Sequence, residues 1–214
     1  MKSGIIECIE KNKIIVIVRG VEREKLLPLA EAMYRGGIRL IECTYDASGR
    51  VSDRETADGI GELVRHFGDD MLVGAGTVLN GRQVELTAEA GGSFIISPDT
   101  YPAVIKRTKE LGMVSIPGAL TPTEAAAAHR AGADLVKLFP IDTYGVGYMK
   151  ALSAPLSHIK LLAVGGINED NMSEYLRAGA RGVGVATGIV NKKMLAENDF
   201  EGITALARKY TSQI

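Results

Sequence analysis

Two ionisable side chains stand inside apolar segments of this sequence. Lys137 interrupts the run LVKLFP, and Glu42 interrupts the run LIECT. A lysine is almost never fully buried unless it is paired or functional, and a desolvated amine loses basicity. Partly neutral near pH 7, such an amine can attack a carbonyl carbon and form a Schiff base. A second interpretation stays open here, in which the ammonium bends to the rim and meets a carboxylate.

Glu42 offers the second group that Schiff-base chemistry needs. Carbinolamine formation, dehydration and carbon–carbon cleavage each move a proton, and a carboxyl whose pKa is raised by burial can carry it. Alternatively, the carboxylate is only an ion-pair partner for Lys137. Thr77, in the segment VGAGTVLN, adds a hydroxyl group that either contacts a ligand or stabilises a turn. The adjacent Gly74 and Gly76 either let the backbone approach a ligand or serve a tight bend.

One recurring pattern predicts the elements that position these residues. A helical stretch closes on Ala-Gly or Gly-Gly and passes directly into a short β-branched run, as in TAEAGGSFIIS and HRAGADLVKLF. Such repeats are typical of αβ units around a parallel sheet. We predict eight strands, at residues 14–18, 39–43, 71–74, 93–97, 113–116, 134–138, 160–164 and 181–186. We therefore expect an α/β fold, a single-domain (βα)₈ TIM barrel over residues 1–214.

Local signals support the helices between these strands. Thr121 and Glu124 match a capping box with Pro122 in the first turn, and Asn80 and Asn168 are predicted N-caps. A doubly wound sheet is the competing architecture. Its dinucleotide fingerprint is missing, because the segment GAGTVL has a leucine where the third glycine should be.

Composition limits the class of protein that this chain can be. Of the 214 residues, 46% are hydrophobic and 24% charged, with a net charge of −1 and no basic stripe for nucleic acid. No apolar run approaches the roughly 20 residues of a membrane span, so we expect no membrane contact and a cytoplasmic protein. Cys8 and Cys43 have no metal-ligand spacing and are predicted to be buried thiols. The histidines, predicted at the surface, are His66, His129 and His158.

The predicted barrel suggests a function for two glycine-bearing segments near the end of the chain. AVGGIN follows the seventh predicted strand and opens a helix, and VATGIV follows the eighth. Loops after these two strands form the usual phosphate site of such barrels, so Gly165, Gly166 and Thr187 are predicted to hold an anion. Period-two alternation points Lys137 and Glu42 into the same barrel, near the carboxyl ends of their strands. A purely structural pair of turns remains the alternative.

Taken together, the segments VGAGTVLN, LVKLFP, GGIRLIECT and AVGGIN resemble the class I aldolases that act on 2-keto-3-deoxy-6-phosphogluconate and 4-hydroxy-2-oxoglutarate. The resemblance runs from about Ile14 to the last helix. It implies that Lys137 is the Schiff-base lysine, that Glu42 is the acid/base, and that the enzyme is a homotrimer without metal or organic cofactor. The substrate-binding residues that it implies are Thr77 against pyruvate, Pro98 and Phe139 along the pocket, and Gly165, Gly166 and Thr187 around the phosphate.

The chain departs from this family beyond the glutamate. Many members have an arginine there that grips the keto-acid carboxylate, whereas this chain has Asp46. Some relatives rely instead on an arginine at the end of the first strand, where this chain has Arg19, with a rim salt bridge as its alternative role. The segment 46–58 also looks several residues longer than in typical members, and its Arg50 and Arg54 are candidates to enter the site.

The sequence therefore predicts a lyase that cleaves a 4-hydroxy-2-keto acid to pyruvate and an aldehyde. The expected substrates are 2-keto-3-deoxy-6-phosphogluconate, giving glyceraldehyde 3-phosphate, and 4-hydroxy-2-oxoglutarate, giving glyoxylate. The galactonate-derived epimer is an alternative substrate. Two other functions remain open: a phosphate-binding synthase barrel without imine chemistry, which would use other acids or a metal, and a non-catalytic sensor of phosphorylated sugars.

Overall fold

The computed structural model describes residues 2–214, with side chains from residue 4 onward, and forms a parallel barrel surrounded by helices. Each of the eight predicted strands overlaps an observed one. The strands are β1 (Ile14–Val18), β2 (Leu40–Thr44), β3 (Leu72–Gly76), β4 (Phe94–Ile96), β5 (Val114–Ile116), β6 (Gly118–Ala119), β7 (Val136–Leu138), β8 (Leu161–Val164) and β9 (Gly182–Val185). The helices are α1 (Lys2–Asn12), α2 (Arg23–Arg35), α3 (Asp53–Phe67), α4 (Gly81–Glu89), α5 (Pro102–Glu110), α6 (Pro122–Arg130), α7 (Gly145–Ser153), α8 (Met172–Arg177), α9 (Lys192–Ala196) and α10 (Phe200–Thr211).

A split strand closes the barrel. The strand order is β5-β4-β3-β2-β1-β9-β8-β7-β6, and only Pro117 separates β5 from β6 in the chain. Proline has no N–H to donate, so the ladder is interrupted there. The Lys137 N–H nevertheless donates to the Pro117 carbonyl at 2.9 Å, which bridges the interruption. Counted as one strand, β5 and β6 complete the eight strands of the (βα)₈ barrel that the sequence predicted.

Side-chain alternation separates the barrel interior from the layer between strands and helices. Leu40 and Leu135 pack in an interior cluster, whereas Val136 and Leu138 pack with helix residues outside the sheet. The amino-terminal end of the interior is filled by Ile9 of α1, which is fully buried. The other members of the interior cluster are Ile15, Ile17, Phe94, Ile96, Val114, Ile116, Leu162 and Val164. An apolar floor therefore leaves the carboxyl-terminal mouth as the place for polar side chains.

Two of the three predicted caps are confirmed. Thr121 forms a complete capping box with Glu124, and the Asn80 side chain accepts a hydrogen bond from the Gln83 N–H. The predicted N-cap at Asn168 is wrong, because α8 begins only after Asn171. The Asn168 side chain instead accepts hydrogen bonds from the Asp170 and Asn171 N–H groups within the loop. Several cap-forming residues occur together in INEDN, so spacing alone did not identify the helix start.

The remaining composition-based predictions are partly confirmed. Cys43 is buried, but Cys8 is only half-buried, so the prediction of two buried thiols is wrong for Cys8. The three histidines are exposed, as predicted. Within residues 2–214, none of the helices combines the length and the apolar character that crossing a membrane requires.

Candidate active site

Two buried ionisable side chains share the mouth of the barrel. Glu42 on β2 is 1% exposed and Lys137 on β7 is 6% exposed. With β5 and β6 counted as one, these strands are the second and sixth of eight and so lie on opposite sides of the barrel. Both side chains have the phase of the inward-facing leucines on their strands. The sequence prediction that the two residues are inward and buried is confirmed.

Burial moves the pKa values of the two groups toward each other. Desolvation raises the pKa of Glu42 to about 7, although the nearby charges of Lys137 and Arg19 oppose the shift. Desolvation lowers the pKa of Lys137, opposed by Glu42 and reinforced by Arg19. Near neutral pH the carboxyl group therefore exists in both protonation states, and the neutral amine is more populated than for a solvated lysine. These are the conditions that a nucleophilic amine and a proton carrier require.

Neither group is neutralised by a direct partner. Within the described part of the chain, no carboxylate forms an ion pair with Lys137, and the Glu42 Oε2 is buried without a hydrogen-bond partner. A buried acceptor without a partner is costly, and such groups often mark a site of binding or catalysis. The interpretation of Lys137 as a rim salt bridge is therefore not supported by the structure.

Two glycines on β3 make room for interior side chains. A Cβ atom on Gly76 would lie 2.3 Å from the Glu42 Oε1, and one on Gly74 would lie 2.4 Å from the ring of Phe94. Atoms cannot approach so closely, so a larger residue at either position would displace its neighbour. The sequence had suggested a ligand approach or a tight bend at these glycines. The structure gives another reason, namely space for the carboxylate and for the core.

Arg19 and Thr77 meet at the rim above Glu42. Arg19 follows β1 and is exposed, and its Nη2 donates to the Thr77 Oγ1 at 3.3 Å. Thr77 is half-buried with a φ of 55°, a backbone conformation that costs energy for a residue with a Cβ atom. The Arg19 charge acts on the pKa of both Glu42 and Lys137. The two predicted rim residues therefore belong to the same site as the buried pair.

Phe139 lies near the amine, and Pro98 lies next to the neighbouring strand. The Lys137 Nζ lies 4.7 Å from the centroid of the Phe139 ring, and the residue Phe139 is 38% exposed. Gly118 pairs with Lys137 across the sheet, and a Cβ atom on Gly118 would lie 2.3 Å from the Pro98 carbonyl oxygen. Pro98 itself is exposed after β4. Both predicted pocket residues thus lie beside the strand that carries Lys137.

The predicted anion site contains a residue that the sequence analysis missed. Gly165 and Gly166 follow β8 with φ values of 107° and 62°, and Thr187 is exposed after β9. The Asp142 carboxylate packs against both glycines: a Cβ atom on Gly166 would lie 2.8 Å from its Oδ2, and one on Gly165 3.2 Å from its Oδ1. A negative charge therefore stands beside the loop where an anion was expected. The position of Asp142 shortly after Lys137 was the only signal for it.

Asp46 has a structural role in the loop after β2. Its carboxylate accepts hydrogen bonds from the Ser48 Oγ and from the N–H groups of Ser48, Arg50 and Val51. The Ser48 hydroxyl, followed by these backbone donors, lowers the pKa of Asp46 to about 2. Arg50 stays exposed with its Nε 3.0 Å from the Ser48 Oγ. The carboxylate thus ties a loop rather than facing the barrel interior.

Arg54, the second arginine considered for the site, lies elsewhere. It forms ion pairs with Asp58 at 3.3 Å and Glu89 at 3.6 Å on the helical exterior. This surface has a depression lined by three arginines, and a second depression lies near His66. The ionisable side chains in both depressions are exposed or half-buried. The barrel mouth, with its buried acid and amine, is therefore the candidate active site.

The chain is also similar to known proteins over almost its whole length. A family model described as KDPG and KHG aldolase matches residues 5–206. The chain is 32% identical to the 2-dehydro-3-deoxy-6-phosphogalactonate aldolase of Escherichia coli K12, over 95% of this chain and 97% of that protein. It is also 32% identical to the 2-dehydro-3-deoxy-phosphogluconate aldolase of Treponema pallidum, over 96% and 95% of the two chains. A similar solved structure is the KDPG aldolase of Legionella pneumophila with pyruvate captured at low pH as a covalent carbinolamine intermediate, at 28% identity, 97% coverage of both chains and a TM-score of 0.86.

Proposed function

Because this chain belongs to the KDPG and KHG aldolase family and is therefore a class I aldehyde-lyase, we propose that Lys137 forms its Schiff base and that Glu42 moves the protons. The substrate is a 4-hydroxy-2-keto acid, and the products are pyruvate and an aldehyde. One observation carries the assignment: a buried carboxyl group with a raised pKa and a buried amine with a lowered pKa share one barrel mouth. The carbinolamine trapped in the Legionella pneumophila relative supports an imine route.

The reaction begins with the neutral amine of Lys137. Its lone pair attacks the C2 carbonyl carbon and gives a carbinolamine, whose hydroxyl group leaves as water after receiving a proton from the Glu42 carboxylic acid. The product is an iminium ion, and Glu42 is now a carboxylate. The fraction of neutral amine sets the rate of attack, so the lowered pKa of Lys137 directly favours this step.

Cleavage uses the carboxylate form of Glu42. It removes the proton of the C4 hydroxyl group, through a bound water, while the C3–C4 bond breaks and its electron pair moves into the iminium. An aldehyde leaves and an enamine remains on Lys137. Glu42 returns the proton to C3, and hydrolysis of the resulting iminium releases pyruvate and the free amine. A pKa of about 7 suits a group that both takes and gives a proton in each turnover.

The rim residues orient the keto acid. We assign the substrate carboxylate to Arg19 and Thr77, because a guanidinium and a hydroxyl group that already contact each other can both donate to one carboxylate. Phe139 and Pro98 supply the apolar wall beside the reacting carbons. Holding C2 close to the Lys137 amine converts binding energy into rate.

The distal end of the substrate distinguishes two candidates. Relatives named for phosphogluconate and 6-phosphogalactonate derivatives favour a six-carbon phosphorylated acid, whose phosphate we assign to Gly165, Gly166 and Thr187. The Asp142 carboxylate beside this loop favours a second candidate, 4-hydroxy-2-oxoglutarate. This five-carbon acid ends next to C4, so it does not need to reach the loop. Remote phosphate contacts would add binding energy only for the longer substrate.

The homotrimer and the cytoplasmic location that the family resemblance implies are also proposals. Several large apolar side chains are exposed in loops around the barrel mouth, among them Val51, Leu79, Tyr101 and Tyr144. These side chains are candidates for contacts with further copies of the chain. Light scattering on the purified protein at micromolar concentration tests the assembly. A monomeric mass across the concentration range would contradict it.

Reductive trapping tests the Schiff base directly. The protein is treated with pyruvate and borohydride, and peptide mass mapping locates the adduct. We expect a single pyruvyl adduct at Lys137, no adduct in Lys137→Ala, and an unchanged adduct in Lys150→Ala, where an exposed lysine is removed from α7. An adduct on the Lys137→Ala protein would show that the lysine is misassigned. Pyruvate release from both phosphorylated epimers and from 4-hydroxy-2-oxoglutarate then ranks the substrates.

A further inference from the structure

The last helix contacts the first glycine loop, defined as residues 165–171. Tyr210 on α10 is fully buried, and its hydroxyl group donates to the Glu169 Oε2 at 2.8 Å. The Gln213 side-chain amide donates to the Glu169 carbonyl oxygen, and Ser173, just beyond the loop, donates to Gln213 at 2.8 Å. A charge-assisted hydrogen bond in this partly buried setting restrains both partners. The end of the chain therefore fixes the middle of this loop.

The same hydroxyl group packs against the second glycine loop, defined as residues 186–190. A Cβ atom on Gly188 would lie only 2.4 Å from the Tyr210 Oη, and 3.8 Å from the Ile167 carbonyl oxygen of the first loop. Gly188 immediately follows Thr187, the predicted anion contact. The absence of a side chain at residue 188 thus allows one phenol hydroxyl to lie where the two loops approach each other.

The phenol is suited to act as a permanent donor. Burial raises the pKa of Tyr210, and the hydrogen bond and charge of Glu169 raise it further. The hydroxyl therefore keeps its proton near neutral pH and remains a hydrogen-bond donor there. Neither loop carries Glu42 or Lys137, which lie on β2 and β7.

From these contacts we infer that Tyr210 is a positioning residue that sets the distance between Gly165–Gly166 and Thr187. Its effect is on the distal end of the substrate and thereby on specificity for the longer acid. This inference rests on the proposed function where it assigns the substrate phosphate to these loops. The part of the inference that concerns the spacing of the loops does not depend on the proposed function. It depends only on the observed contacts of Tyr210.

Hydrogen exchange on Tyr210→Phe tests the spacing without any substrate. The ring keeps its packing and only the hydroxyl group is lost, so we expect faster exchange at residues 165–171 and 186–190 and unchanged exchange in β2 and β7. The matched control is Tyr45→Phe, which removes another buried hydroxyl group, bonded to the Gln83 carbonyl at 3.0 Å, and should leave both loops unchanged. Unchanged exchange in both loops of Tyr210→Phe would overturn the inference.

Kinetics on the same variant test the effect on specificity. For a phosphorylated substrate we expect kcat/KM to fall about tenfold, with most of the change in KM, and for 4-hydroxy-2-oxoglutarate to stay within about twofold. Glu169→Gln keeps an acceptor oxygen, so its kcat/KM for a phosphorylated substrate should fall less than that of Glu169→Ala. Equal losses for the short and long substrates would overturn the specificity role. If the wild type cleaves no phosphorylated acid, the phosphate assignment fails, and the exchange experiment alone decides the positioning role.

Discussion

Gly76 and Glu42 occupy adjoining space, so that a single methyl group on residue 76 would overlap the carboxylate of residue 42. The Cβ atom of an alanine would lie 2.3 Å from Oε1 and 2.7 Å from Cδ. We therefore expect Gly76→Ala to displace Glu42 and to lower kcat about 100-fold, because a shift of about 1 Å in a catalytic group has effects of that size. Steady-state pyruvate release measures it. Gly147→Ala is the control, since a Cβ atom there meets nothing within 4 Å, and equal activity of the two variants would contradict the prediction.

Glu42→Gln separates imine formation from proton transfer. Glutamine has nearly the same shape as glutamate but cannot exchange a proton near pH 7. We expect kcat to fall by about 10²- to 10⁴-fold, the usual contribution of a general acid/base, while borohydride still traps pyruvate on Lys137 after long incubation. Turnover within tenfold of the wild type would mean that another group moves the protons.

Sequence reasoning succeeded where a short-range period decides the outcome. Alternation within β2 and β7 was enough to predict that Glu42 and Lys137 are inward, because the strands are regular and buried. The role of Gly76 was missed because it depends on a neighbouring strand more than 30 residues away in the chain. Asp142 and Tyr210 were missed for the same reason, since their contacts with Gly166 and Glu169 join distant segments.

The buried Glu42 also makes stability depend on pH. Its pKa is about 7 in the folded protein and 4.5 as the ordinary value, so the folded state binds more protons between these limits. The contribution of Glu42 to the free energy of unfolding is therefore greatest below pH 4.5. It falls by about 3 kcal/mol as the pH rises toward 7. Denaturant unfolding at pH 5 and pH 8 measures the change. Glu42→Gln should lack this contribution, and an identical pH dependence in both proteins would exclude a raised pKa for Glu42.

Arg19 tunes both members of the buried pair. Its positive charge favours the carboxylate of Glu42 and disfavours the ammonium of Lys137, so it lowers both pKa values. Replacing Arg19 by alanine should raise both pKa values. The increase of kcat/KM that accompanies rising pH should then occur at a higher pH than in the wild type. The same change should raise KM for every keto acid, because the substrate carboxylate loses the cationic contact that we assign to Arg19. A pH profile of the Arg19→Ala protein that superimposes on that of the wild type would rule out this electrostatic role.

Asp142 offers a direct way to change the preference between the two candidate substrates. Its carboxylate packs against Gly165 and Gly166, so a phosphate bound there would meet a like charge. Asp142→Asn keeps the shape and removes the charge, and we expect kcat/KM to rise about tenfold for the phosphorylated epimers and to stay constant for 4-hydroxy-2-oxoglutarate. Asp170→Asn is the matched control, because it removes an exposed charge from the loop that contains Gly165 and Gly166. A gain that is equal for the short and long substrates would show that Asp142 acts on folding or on the common pyruvate end, and a loss for the phosphorylated epimers would show that its carboxylate helps to hold the distal group.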